Sequence, residues 1–438
     1  MAASAVALGL VAAPVMAQDA RAIRAAEQVR DQALKGNIAL DYVTQITTRF
    51  GPRPAGSRAE QDASAWAADY MRAHGFQNVR IEQFPLIGWE RGEESAEILG
   101  ARPQKLVVAA LGHSIATPAE GVEAEVVFFD GLDALLAAPA GGVGPTEAAK
   151  RGAVAFVMRS AGSDEHRMPH TGTTRYVEGK VPLPAFALSA PDADQVARLV
   201  GMGETVRLRL KSTAHTYETH SQNVMGDIVG ASRPNEIIVL GSHMDSWDLG
   251  TGAIDDAAGG AITLAAAKLI AEQGRPARTI RVVLYGSEEV AQPTDHGNGG
   301  GAYVRNIGAG VEKHVIAGES DFGADRVYAL GLPPGSQNTD FAKIAERVLR
   351  PLGVLPGEAE LFGGVDIGPL ARAGVPVFGL RQDGTRYFDL HHTADDTLDK
   401  IDPAQMTQNV AAWAALVRLI ADSDVDFRAA RAAQASTR

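Results

Sequence analysis

Cysteine is absent from all 438 residues, which removes thiol catalysis, disulfide staples and Cys-ligated structural zinc together. His, Asp and Glu are then the strong metal ligands that remain. Basic residues are outnumbered, 41 against 53 acidic ones, for a formal net charge of −12 and a pI near 5.4. Nucleic acid and anionic membranes select a basic face, so neither is an expected partner. Long apolar runs are lacking beyond residues 1–17, and no membrane span is expected in the mature chain. Residues 1–17 (MAASAVALGLVAAPVMA) are apolar and small, and they end in Val15-Met16-Ala17, which resembles a cleavage site before Gln18. The usual basic start is missing, yet the pattern reads as a secretory signal peptide and implies a secreted or periplasmic protein.

What is present is an arrangement that repeats. Residues 237–240 (IIVL) are a continuous apolar run bounded by polar residues and Gly, the pattern of a strand buried on both faces of a parallel sheet. Just beyond it come His243, Asp245, Asp255 and Asp256. Residues 280–285 repeat the pattern and run into Gly286, Ser287, Glu288 and Glu289. Residues 315–317 run into Glu319 and Asp321, and residues 375–380 lead to a loop carrying His391, His392, Asp395 and Asp396. Four strands thus deliver His and carboxylate groups from their C-terminal ends, where open α/β sheets place ligand sites. The residue types are those that divalent metals take.

Around these strands, helices are expected over residues 21–35, 42–49 and 57–74, with Trp66 and Tyr70 as core contacts. A further helix over 257–273 would be capped by Asp256, and a last one opened by Asp402-Pro403 would bury Met406, Val410, Trp413, Val417 and Ile420. The expected fold class is α/β, a mostly parallel mixed sheet with helices on both faces. Residues 94–211 interrupt the alternation with short β-like runs between Gly/Pro/Ala-rich loops, and are expected to be a β-rich insert. The resulting division is a signal peptide (1–17), a discontinuous catalytic domain (18–93 and 212–427), the insert (94–211) and a frayed tail (428–438). His166 and His170 sit in a polar loop of the insert, and His170 is placed to reach a site in the neighbouring domain.

Two divalent cations in a shared site need one bridging carboxylate and further ligands on each, with a position left for water. His243, Asp255, Glu289, Asp321 and His392 supply five such groups, and Asp255, between the two His-containing halves, is the natural bridge. Asp245 is placed to orient His243, and Asp396 to orient His392. Glu288 remains as a carboxylate that can take a proton from water and hand it to a leaving amine. The set describes amide hydrolysis without a covalent intermediate. Taken singly, Glu288-Glu289 reads as a solvated pair and Asp395-Asp396 as a loop or helix cap.

The stretches GSHMDSWDLGTGAIDDAAGG, YGSEE, GESDFG and LHHTADDT resemble the co-catalytic zinc aminopeptidase and glutamate-carboxypeptidase superfamily. The likeness extends to residues 89–96 (WERGEESA), Pro169-His170-Thr171-Gly172 and Asp402-Pro403, over most of the mature chain. It implies a zinc aminopeptidase-like fold whose insert is a protease-associated domain lying over the cleft. It also implies two Zn2+ bridged by Asp255, one held by His243 and Asp321 and the other by Glu289 and His392, with Glu288 as general base. A non-proline cis peptide at Asp255-Asp256, a substrate contact at Asp366, frequent homodimers and a short peptide substrate, above all a dipeptide, belong to the same resemblance. Alternatives on this fold are a general aminopeptidase, a one-zinc glutaminyl cyclase-like transferase and a receptor-like binding module that has lost ligands. Residues 290–300 depart from the family pattern, being longer and richer in Gly, and add Asp295 and His296 near the cleft mouth.

Overall fold

The computed structural model describes residues 12–131, 144–162, 166–174, 183–290, 292 and 297–429. The strands, in chain order, begin with β1 (Gln77–Glu90), β2 (Glu94–Ile98), β3 (Gln104–Leu106), β4 (Val108–Ala110) and β5 (Val122–Glu125). They continue with β6 (Phe156–Arg159), β7 (Ala185–Leu188), β8 (Arg207–Ser212), β9 (His215–Ile228) and β10 (Arg233–His243). The last are β11 (Arg278–Tyr285), β12 (His314–Glu319), β13 (Val327–Gly331), β14 (Leu355–Pro356) and β15 (Gly379–Gln382).

The central sheet runs β1-β9-β11-β10-β12. β10 pairs in parallel with β11 and with β12, and both flanks of β10 are therefore filled. Because successive side chains of a strand face opposite ways, the IIVL run feeds two cores. Ile238 and Leu240 point to the side packed by the helices Ile38–Phe50, Ala258–Glu272 and Pro403–Asp422, where Trp413 is fully buried. Ile237 and Val239 point to the side of Tyr303 and Leu370, from the helices Gly299–Ile307 and Gly368–Arg372. Helices on both faces are thus observed as expected.

The sheet differs from expectation in its other half. β9 is antiparallel to both β11 and β1, so the sheet is mixed, as expected, but two of its four pairings are antiparallel and it is not mostly parallel. The run 375–380 is also not one strand. Val377 bridges Ala317 of β12 in parallel, and the chain then crosses into a separate three-stranded sheet, β14-β13-β15.

Between β1 and β9 the chain builds a four-stranded sheet, β3-β2-β8-β5, and a three-stranded one, β4-β7-β6. Glu94 of β2 pairs with Ser212 of β8, and Glu90 with His215, so the chain leaves and re-enters the central sheet at one place. Arg428, placed at the start of the tail by the sequence, is not frayed. Arg428 is docked, donating from Nη2 to the carbonyls of Val311 at 2.7 Å and His314 at 2.8 Å. Residues 430–438 lie outside the described residues, as do 1–11 of the expected signal segment; the helix Ala12–Ala33 starts within that segment. Among the described residues no helix is long and apolar enough to cross a membrane.

Candidate metal centre

The parallel strands β10, β11 and β12 all end at one edge of the sheet, and the loops that leave this edge build the site. His243 closes β10 and is 2% exposed. Its Nδ1 lies 2.9 Å from the main-chain carbonyl of Asp245, which takes the ring proton and leaves Nε2 as the free donor atom. Nε2 is 3.0 Å from Asp255 Oδ1 and 3.4 Å from Asp321 Oδ1. Asp321 stands two residues after β12. On the other side of Asp255, Oδ2 is 3.1 Å from His392 Nε2, which is in turn 2.8 Å from Glu289 Oε2. Five expected ligands therefore converge, and the two oxygens of Asp255 face two different donor sets.

The loop that presents Asp255 is irregular and tightly held. The Asp255-Asp256 peptide is cis, as the resemblance implied. Asp256 takes the amide of His243 on Oδ2 (3.2 Å) and that of Gly259 on Oδ1 (3.0 Å), and the helix Ala258–Glu272 then begins. At Gly259 a Cβ would sit 1.8 Å from the carbonyl oxygen of Ser320, so only glycine lets this helix start reach the end of β12. Two ligand turns use left-handed backbone at non-glycine residues: Ser287, before the Glu288-Glu289 pair, at φ 59, and His392 at φ 59. Such residues cost about 1–3 kcal/mol each and are held by their surroundings.

Several expected roles are corrected by these contacts. Asp396 makes no side-chain hydrogen bond to His392; its carboxylate takes the amides of Ile254 (2.6 Å) and Asp255 (3.3 Å), clamping the backbone at Asp255. Asp245 orients His243 with its carbonyl, while its carboxylate, 3.7 Å from Nδ1, accepts the amides of Glu288 (3.1 Å) and Glu289 (3.2 Å). Asp366 is fully buried; its Oδ1 takes the amide of Gly300 at 3.2 Å, while its Oδ2 has no hydrogen-bond partner. His170 does reach the site, with Nε2 2.9 Å from His391 Nδ1. Asp295 and His296 lie outside the described residues.

Sequence reasoning assigned no role to three contributors. His391 stacks on His392 with ring centroids 3.4 Å apart and puts Nε2 3.3 Å from Asp255 Oδ2; the His-His doublet was its signal. Arg53, fully buried, donates to the carbonyls of Met244 (2.9 Å), Gly51 (2.8 Å), Thr251 (2.7 Å) and Gly252 (3.0 Å), tying the loop after His243 to the loop before Asp255. Nothing in a Gly/Pro-rich loop announces such a role. Thr171 acts through its carbonyl, 3.2 Å from His392 Nδ1, which no residue pattern encodes.

The carboxylates crowd one another in a buried space. Burial and the charge of Asp321 lift the Glu288 carboxyl well above its ordinary range. Burial and Asp255 bring Glu289 up to about 8. Burial and Asp321 do the same to Glu319, also about 8, although Glu319 accepts the amides of Asp366 and Ile367. Burial alone would lower His392, but Glu289 and Asp255 outweigh it and raise the ring to about 10. A cluster with this much unbalanced negative charge is arranged for cations.

The description Peptidase family M28 matches residues 223–417, which hold every one of the five converging ligands. Carboxypeptidase Q of Mus musculus is 33% identical over 415 residues, covering 89% of this chain and 86% of that protein, and the Homo sapiens protein is 33% identical over 422 residues. A solved peptidase M28 precursor from Shewanella amazonensis is 40% identical with a TM-score of 0.88, over 93% of this chain and 98% of that one. A zinc aminopeptidase from Bacillus subtilis shares the fold at 18% identity, with a TM-score of 0.63 over 87% of this chain and 93% of its own. Identity along nearly the whole chain, with converging His and carboxylate groups at the strand ends, makes this chain a member of peptidase family M28 and a hydrolase of peptides.

Proposed function

We propose that the chain is a di-zinc exopeptidase that hydrolyses short peptides, above all dipeptides with both termini free. The observation that carries this reading is Asp255, whose Oδ1 faces His243 and whose Oδ2 faces His392. The residues fit a pair of cations by their own chemistry. Asp255 Oδ2, Glu289 Oε1 and Asp321 Oδ1 are buried oxygens without a hydrogen-bond partner, an arrangement that is costly unless a positive charge lies against them. Donor atoms of His243, Asp255 and Glu289 lie within 4.8 Å of one another. Imidazole and carboxylate donors without thiolate suit zinc. His243, Asp321 and Asp255 would hold one ion, and Glu289, His392 and Asp255 the other.

Bound there, the ions supply Lewis acidity, polarising the scissile carbonyl and bringing a water's pKa toward neutrality. Glu288 does the proton work: its carboxylate takes a proton as the water oxygen bonds to the carbonyl carbon. It returns that proton to the amine nitrogen as the C–N bond breaks. Burial beside Asp321 favours the protonated form it must pass through. Asp245, bonded to the amides of Glu288 and Glu289, keeps the base and the neighbouring ligand at a fixed separation.

The wider reading rests on the same relatives. Residues 94–211 are a protease-associated-like domain closing one side of the cleft, which favours short substrates. Residues 1–17 direct secretion or export to the periplasm, and the mature chain pairs as a homodimer. The test is hydrolysis of a free dipeptide beside its N-acetylated and C-amidated forms by the zinc-loaded protein, with Glu288→Gln as blank. Cleavage of the free dipeptide alone supports the proposal. Equal cleavage of the C-amidated form replaces it with a general aminopeptidase.

A further inference from the structure

Two imidazoles at the centre are held by a segment 221 residues away in the chain. His392 Nδ1 donates to the carbonyl of Thr171 at 3.2 Å, and the Thr171 amide returns a bond to the His392 carbonyl at 3.0 Å. With the proton fixed on Nδ1, the lone pair is on Nε2, the atom that lies between Asp255 and Glu289. His391 is set in the same manner. Its Nε2 lies 3.3 Å from Asp255 Oδ2, and its Nδ1 is hydrogen-bonded to His170 Nε2 at 2.9 Å.

The segment that does this is itself anchored. Thr171 is 2% exposed, and its hydroxyl donates to the Ala110 carbonyl and receives Arg91 Nη2 at 3.1 Å each. Arg91 also makes a two-pronged pair with Asp248, at 2.7 and 2.8 Å, just past the His243 loop. Gly112 and Gly172 are joined by a main-chain bond of 2.8 Å. His243, by contrast, is oriented from within its own loop.

We propose that His170 and Thr171 are positioning residues of the metal site, His170 through His391 and the Thr171 carbonyl through His392, so that the chain between β1 and β9 completes the Glu289/His392 half. This rests on the two-metal reading. Outer partners that fix a ligand's tautomer and ring plane are worth about 10–100-fold in metal affinity. An asymmetry is the consequence: loss of His170 should touch one ion and spare the other.

Zinc affinities of the full-length protein, measured by competition with a chromophoric chelator, test it for wild type, His170→Ala, His170→Phe and His170→Gln. Phe keeps the ring packing without a hydrogen-bonding atom, and Gln keeps one. Expected is a loss of about 10–100-fold in one of two binding events for Ala and Phe, with most of it recovered in Gln. The visible absorption of the cobalt-loaded protein should change for one equivalent only. Two unaltered events in Ala and Phe, or equal weakening in all three variants, would overturn the proposal while the two-metal reading stands. A wild type that binds fewer than two zinc ions overturns both.

Discussion

At Glu288, burial and the Asp321 carboxylate push in one direction, toward a side chain that holds a proton readily. Glu288→Gln keeps the shape and removes the proton acceptor. The expected result is a kcat lowered by about 10²–10⁴-fold with zinc content unchanged, read by steady-state kinetics beside metal analysis. His314 is the converse case, far from the metal centre. It is 1% exposed, its Nδ1 bonds the Gly310 carbonyl, its Nε2 faces the Tyr303 hydroxyl at 2.7 Å, and burial lowers its pKa to about 4. Folded His314 stays neutral while the unfolded ring takes a proton as pH falls below about 6.5, so stability is lost as pH falls from there toward 4. The loss amounts to about 3 kcal/mol at most. Denaturant midpoints for His314→Gln should fall less steeply over that window than those of wild type; parallel curves would remove the assignment. Single residues were legible in the sequence where a side chain converges on the site, as with His243, Asp255, Glu289, Asp321 and His392. They were not where a main-chain group does, as with Thr171, or where the partner is an amide, as with Asp396.

The element that matters most is the loop from Thr251 to Asp256, which carries the Asp255 carboxylate between Arg53 on one side and Asp396 on the other. Arg53→Met would leave several buried carbonyls without a donor, each worth about 1–3 kcal/mol. A loss of roughly 3 kcal/mol or more in unfolding free energy is expected, measured by urea denaturation with zinc present. A change within about 0.5 kcal/mol, the range of ordinary surface substitutions, would show the guanidinium to be dispensable. Strand legibility followed burial. β10 and β11 announced themselves as apolar runs because both faces are covered. β9 begins with HTYETHSQN, whose outer half is largely exposed, and β1 contains Pro85, so neither presents a continuous apolar run. Pro85 is tolerated because β1 is the edge of the sheet. The run 375–380 looked like one strand because hydrophobicity carries no record of where a chain changes partner.

For the molecule as a whole, the order of strands could not be read from composition, since the pairing of β1 with β9 spans the entire segment between them. The two small sheets of that segment were legible as a change of pattern near residues 94 and 211, yet their contact with the metal centre was visible only at His170. What unites the scales is a site whose halves come from separate parts of the chain: His243 and Asp321 from the parallel strands, His392 held by Thr171, and Asp255 between them. The most direct test of this account is the zinc content of the zinc-saturated, desalted full chain, counted by mass spectrometry against protein concentration, beside His392→Ala. The account predicts two zinc ions per wild-type chain and one in the variant. One ion or none in the wild type would contradict it.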